Sequence, residues 1–182
     1  MDFLQLAKEQ RYSVRKFKPD RIEKEKLDLI LEAGRVAPTA ANFQPQRILV
    51  IDNEEGLTKL KTCTPYLFDA PLALLICYDR ETCWKHQQSG KSGGEVDASI
   101  VTTHMMLEAA NLGIGNTWVA GFDCDRIREL FSLPDYLVPV ALLPLGYPAA
   151  DASPHPVHFK RFELDHTVFY NSFEGVSQGE KH

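Results

Sequence analysis

Hydrophobic and polar positions change period several times along the chain, and each change predicts an element. Residues 2–9 read as a short opening helix. Asp20 and Glu23 have capping-box spacing for a helix over about 21–35, where Ile22, Leu27, Ile30 and Leu31 share an apolar stripe. Ala37 precedes Pro38, which disfavours helical backbone at Ala37 and ends that helix. Ile48-Leu49-Val50-Ile51 predicts a strand leaving through Asp52-Asn53, and residues 54–62 predict a helix. The run from Pro71 to Tyr78 is too continuously apolar for a half-exposed strand, so it predicts a central strand covered on both faces. Residues 79–93 are polar, carry Gly90 and Gly93, and read as a mobile loop or lid.

Farther on, Ser92 and Glu95 have capping-box spacing for the longest helix. Val96, Ile100, Thr103, Leu107 and Ala110 keep helical spacing, and Gly113 is a C-terminal stop. Apolarity on all sides near Met105 and Met106 points to a buried central helix or a subunit interface, with core packing expected for most of the spaced positions. Asn116–Ala120 predicts a strand leading to Gly121, and Asp123 caps a helix over about 124–131. Val138–Tyr147 predicts a strand whose prolines place it at an edge or on an irregular path. Residues 149–182 have too few core positions for a second domain, yet carry Phe159, Phe162, Leu164, Val168, Phe169 and Tyr170. Such an arm needs cover, for example from a partner subunit. The polar end, 175–182, is expected to be disordered.

Composition narrows the choices. At 182 residues the default is one domain, 1–182, and 44% hydrophobic with 25% charged residues argues against general disorder. A net charge of -5 argues against a broad nucleic-acid or anionic-membrane surface, although a local cationic cluster survives that argument. The start lacks a signal-peptide pattern, and no apolar run approaches the roughly 20 residues of a membrane span, so a cytoplasmic location is expected. Cys63, Cys77, Cys83 and Cys124 form no C-x-x-C pair and read as reduced structural thiols, with Cys83 the one in a polar segment. The histidines show no metal-ligand pattern.

Two stretches carry candidate chemistry. In an extended strand Arg11, Ser13 and Arg15 point the same way, and two guanidinium forks beside a hydroxyl suit a phosphate. Residues 37–45 combine small side chains, which let a flat ring approach the backbone, with Asn42 and Gln44, whose amides suit the edge of a heterocycle. Together they point to a phosphorylated, flat aromatic cofactor. The blander alternatives are a solvated basic turn for the arginines and ordinary turn chemistry for Asn42 and Gln44. Gly121 is either loop punctuation or a place where backbone meets a ring. No G-x-G-x-x-G or Walker loop is present, so side chains must hold the phosphate. His104 reads as a satisfied core histidine, and no Ser-His-Asp or Cys-His signature appears.

Four pieces in order carry a resemblance: R-Y-S-V-R-K-F (11–17), A-P-T-A-A-N-F-Q-P (37–45), the stretch E-V-D-A-S-I to N-T-W-V (95–119), and L-P-L-G-Y-P (143–148) followed by Arg161. The chain resembles the nitroreductase-like FMN-dependent oxidoreductases. That resemblance implies an α+β fold with a mixed, mostly antiparallel sheet flanked by helices. It also implies a homodimer whose C-terminal arms wrap the partner and whose two FMN sites lie at the interface. By the same resemblance, Arg11, Ser13 and Arg15 match phosphate and ribityl contacts, with Tyr12 beside them through its backbone. Arg161 matches a C-terminal phosphate-binding residue, with Lys160 the alternative one position earlier. Pro38, Thr39, Ala40 and Asn42, with Gln44 close by, match the stretch that meets the flavin from the other subunit. Trp118, Val119, Ala120 and Gly121 match the segment running past the ring.

The activity implied is NAD(P)H oxidation with transfer to a nitroaromatic, a quinone or a related small acceptor, in a ping-pong cycle on one site. The protein positions and tunes the cofactor, and a backbone N–H from 119–121 stabilises charge on the ring. Other reactions on the same fold (dehalogenation, flavin breakdown, azoline oxidation) and a non-catalytic flavin-storage or sensor role are the alternatives. Ala120 stands where many relatives carry Glu, and Gln46 replaces an aromatic residue that often follows Q-P. Residues 79–93, with Trp84, Lys85 and His86, fall at the family's variable substrate lid.

Overall fold

The sheet forms around the most apolar run in the chain. The computed structural model describes Asp2–Phe173, so the expectation for 175–182 lies outside the described residues. The helices are α1 (Phe3–Gln5), α2 (Lys24–Arg35), α3 (Glu54–Lys61), α4 (Gly94–Asn111) and α5 (Cys124–Leu130). The strands are β1 (Gln46–Ile51), β2 (Leu72–Asp79), β3 (Gly115–Asn116) and β4 (Leu137–Gly146), in the order β1-β2-β4-β3. All pairings between these strands are antiparallel, and one parallel bridge joins Ser13 to Asn116. The fold is α+β, as the resemblance implied.

Alternation along β2 explains its unbroken apolarity. Leu72, Leu74 and Ile76 pack with Ile30 of α2 and Val101 and Met105 of α4. Ala73, Leu75 and Cys77 pack on the other face with Leu60 of α3 and Ile127 of α5. Each buried leucine or isoleucine contributes about 1.5–3 kcal/mol, so neither face tolerates a polar residue. Burial also pushes the Cys77 thiol up to about 12.

Several expectations are corrected. The strand containing Pro139 and Pro144 is interior, not an edge: β4 lies between β2 and β3. It is irregular, with a register shift where Cys77 pairs with Pro139. The edge is only partly paired, since β3 spans two residues and Val119 adds one bridge to Leu142. Leu142 exchanges both backbone bonds with Val119. Alternation therefore aims Pro144 toward that same sparsely paired side, where its missing N–H costs least.

The predicted strand 116–120 reduces accordingly to Gly115–Asn116 plus that bridge. Both capping boxes also fail. α2 starts after Glu23, which makes no side-chain cap, because its carboxylate accepts from the Tyr147 hydroxyl instead. α4 starts after Gly93, with Ser92 Oγ accepting from the Gly94 N–H at 3.1 Å.

Finally, the α4 stripe read as core is split: Ala110 is buried and Ile100 packs against the core, while Val96, Thr103 and Leu107 lie nearer the surface. Ala98, Val101, Met105 and Ala109 are buried, whereas Val96 is 59% exposed and Ile100 and Leu107 are half-buried. The opening helix is α only at Phe3–Gln5 and continues as a π-helix over Leu6–Gln10, with the Arg11 N–H donating to the Leu6 carbonyl. Within residues 79–93, read as a mobile loop or lid, a single bridge joins Lys85 to Ser92 in a small hairpin turned at left-handed Gly90.

Candidate functional site

The arginine stretch is extended, as alternation required. Ser13 bridges Asn116, the Val14 N–H donates to the Asn116 carbonyl at 2.9 Å, and Val14 is buried. Ser13 and Arg15 fall on the opposite side from Val14 and line a cavity of about 390 Å³. Thr117, Trp118, Val119, Ala120 and Gly121 line it too. The parallel bridge thus brings together two stretches a hundred residues apart in sequence.

Tyr66 and Phe68 complete the wall, and sequence reasoning missed both. They follow α3 in a turn with left-handed backbone at Phe68 and Asp69, and no local pattern marks them. Thr64, also missed, is buried and orders this wall: its hydroxyl donates to the Gly121 carbonyl at 2.7 Å and accepts the Tyr66 N–H. A Cβ on Gly121 would lie 3.0 Å from the Tyr66 ring, so glycine here keeps backbone and ring close.

Arg11 is half-buried and, unlike Ser13 and Arg15, does not line the cavity. Burial, then the adjacent Arg161 charge, pushes its pKa below the ordinary value. Two guanidiniums therefore converge from opposite ends of the chain. Among the described residues, Arg11, Arg15 and Arg161 form no ion pair with a carboxylate. Lys160, one position earlier, is exposed, as Arg161 is, and has no such effect on Arg11. The Tyr12 ring packs edge-on against His158, and His158 Nε2 lies 2.9 Å from the Lys8 carbonyl oxygen, which seats the start of the C-terminal arm on the opening helix.

The second stretch lies elsewhere in the protomer. Pro38, Thr39, Ala40, Asn42 and Gln44 line none of this cavity. They form a tight loop around a 3-10 turn at Ala40–Asn42, with left-handed backbone at Ala41, Asn42 and Gln44. Thr39 Oγ1 accepts the Gln44 N–H at 3.0 Å, and Asp97 of α4 accepts the Ala40 N–H at 2.8 Å. Arg47 donates to the Gln44 carbonyl and lies 3.5 Å from Asp79, whose carboxylate also caps Glu81 and Thr82 at the root of the hairpin. His104 is satisfied, with Nδ1 3.0 Å from the Ile100 carbonyl oxygen. Cys63, Cys77, Cys83 and Cys124 are all free thiols, and Cys83 is buried against Ser92.

The cavity fits a flat phosphorylated group. The Arg15 guanidinium, which forms no ion pair among the described residues, lines it, glycine backbone borders it, and Thr117, which also lines it, has a buried Oγ1 with no partner among the described residues. No helix among the described residues is long and apolar enough to cross a membrane.

Comparison with known proteins agrees with this geometry. A model of the Nitroreductase family matches residues 9–64 and 61–147. The chain is 44% identical to a nitroreductase family protein from Clostridium difficile 630, whose crystal structure aligns with a TM-score of 0.89 over 94% of this chain and 99% of that one. An FMN-dependent nitroreductase from another Clostridium difficile strain aligns with a TM-score of 0.78 at 27% identity, over 94% of this chain and all of that one (100%). A provisionally named NADH dehydrogenase/NAD(P)H nitroreductase of Methanothermobacter thermautotrophicus is 34% identical over 156 residues, 82% of this chain and 78% of the relative. The chain therefore belongs to the nitroreductase family of FMN-dependent oxidoreductases.

Proposed function

We propose that the protein oxidises NAD(P)H and reduces a nitroaromatic, a quinone or a related small acceptor, the two substrates using one cleft in turn. The observation that carries this is a cavity lined by Ser13 and Arg15 and bordered by 117–121, with no carboxylate paired to Arg11, Arg15 or Arg161 among the described residues. Arg11, Arg15 and Arg161 hold the FMN phosphate, and Ser13 and Thr117 offer hydroxyls to its polar chain. FMN, when bound, supplies the hydride chemistry.

The backbone past the ring stabilises developing negative charge. The Val119 N–H is committed to Leu142, so Ala120 and Gly121 provide the donors. No side-chain nucleophile or acid is assigned, since the protein's part is to bind, orient and exclude water.

The site is completed by a second copy of the chain. The loop 38–44, which the family pattern sets against the flavin, does not reach this protomer's cavity. The exposed Val96 of α4 and the exposed Phe159, Phe162 and Leu164 of the arm support an isologous dimer.

The test starts with a visible spectrum of purified protein. Flavin absorption, and NADH or NADPH consumption that depends on added nitroaromatic or quinone, are expected. FMN-loaded protein that consumes neither nucleotide with any such acceptor would refute the activity.

A further inference from the structure

We infer that Asp97 is a positioning residue for the cofactor: it imposes the shape of the loop 38–44 from a distance of 57 residues in sequence. The inference rests on the proposed reading that this loop meets FMN.

Asp97 sits in the first turn of α4 and is only 2% exposed. One carboxylate oxygen accepts the Ala40 N–H at 2.8 Å. The other is buried with no partner among the described residues. A carboxylate held in this way is costly, because burial removes its hydration and only half its acceptor capacity is returned. An apolar side chain would serve core packing better. What the carboxylate does supply is an N-terminal cap for a turn that lacks one. Ala40 is the first residue of the 3-10 turn, and Thr39, the natural capping position, makes no cap because its hydroxyl is turned to Gln44. Asp97 takes that role across the fold, with a charge-assisted bond from the first N–H of the turn.

The loop needs an external anchor. Ala41, Asn42 and Gln44 all have positive φ (50°, 58° and 50°), a conformation that non-glycine residues hold only when their surroundings impose it. The anchor is itself fixed firmly. Gly94 lets α4 approach β2 so closely that a Cβ there would fall 2.1 Å from the Tyr78 ring, which sets the height of the first turn and hence of Asp97. The core end of the fold thereby sets the geometry of an exposed loop.

Asp97→Leu tests this, because leucine keeps the forked outline of the side chain while removing the acceptors and the buried charge. The readouts are the dissociation constant for FMN, hydrogen exchange at the Ala40 amide, and the melting temperature of the FMN-free protein. Expected are an FMN Kd raised about tenfold or more, the size of one lost charge-assisted bond, faster exchange at Ala40, and an unchanged or higher melting temperature. Asp97→Asn, which keeps one acceptor for Ala40, should return the Kd to within about threefold of the parent. An Asp97→Leu protein that binds FMN as the parent does overturns the inference. So does one that fails to fold or melts earlier, since the carboxylate would then be structural. Failure of the parent protein itself to bind FMN overturns the functional reading instead, independently of any change at Asp97.

Discussion

Residues 11–15 and residues 38–44 both carry the residue types of a cofactor site, but the fold treats them differently. The first stretch is extended and bridged to Asn116, and its alternate side chains divide between core (Val14) and cavity (Ser13, Arg15). Its backbone is tied to the sheet through Asn116 and needs no left-handed residue. The second is a loop with three left-handed residues, held by single bonds from Asp97, Thr39 and Arg47. The difference teaches where binding energy and where precision are placed. Charge sits on the robust segment, while shape sits on the segment whose conformation must be maintained by its neighbours.

The largest expected effect falls on the charged half. Arg11→Ala with Arg15→Ala should weaken FMN binding by about a hundredfold to ten-thousandfold, taking roughly 1.5–3 kcal/mol for each phosphate partner. Far-ultraviolet circular dichroism should stay that of the parent, since neither side chain is buried in the core. Equilibrium fluorescence titration with FMN checks this, and an unchanged affinity would remove both arginines from the site.

A sharper contrast comes from neighbours in the arm. Arg161→Ala should cost about tenfold or more in FMN affinity, and Lys160→Ala less than about twofold, because only Arg161 acts on Arg11. The reverse order in the same titration would mean that the phosphate is held one residue earlier.

The smallest effect concerns the shape-bearing half. Burial alone would raise the Asp79 pKa, but the Glu81 and Thr82 N–H donors and Arg47 outweigh it and hold the carboxyl below its ordinary 3.8. Its stabilisation is therefore fully present above that value and is lost as pH falls through the lower folded value. Asp79→Asn should flatten this part of the acid-unfolding curve, measured by circular dichroism against pH. A curve equally steep in the variant would show that Asp79 does not support the hairpin root or, through Arg47, the Gln44 end of the loop.

How much of this was readable in advance follows the range of the forces involved. The unbroken apolar run of β2 announced a strand covered on both faces, because burial on two sides removes any need for alternation. The extended Arg11–Arg15 stretch and the satisfied His104 also followed from local rules. The capping boxes did not survive, since Ser92 and Glu23 found partners that spacing cannot foresee: a cysteine nine residues away and the hydroxyl of Tyr147. The α4 stripe was legible as apolar but not as divided between core and surface, because a helix apolar on most sides gives no periodicity to say which face is the inner one.

By itself, then, the sequence determined which segments are apolar, which backbone stretches are extended or turned, and where cationic and amide groups are concentrated, since these follow from composition and short-range sterics. Only the tertiary structure decided that the Arg161 charge acts on Arg11, that Tyr66 and Phe68 wall the cavity with Thr64 holding Gly121 behind it, that β4 is interior despite its prolines, and that Asp97 caps a turn 57 residues away. Those are contacts between distant parts of the chain. They depend on how β2 and β4 pair and how closely Gly94 lets α4 settle on the sheet, and no local pattern encodes either.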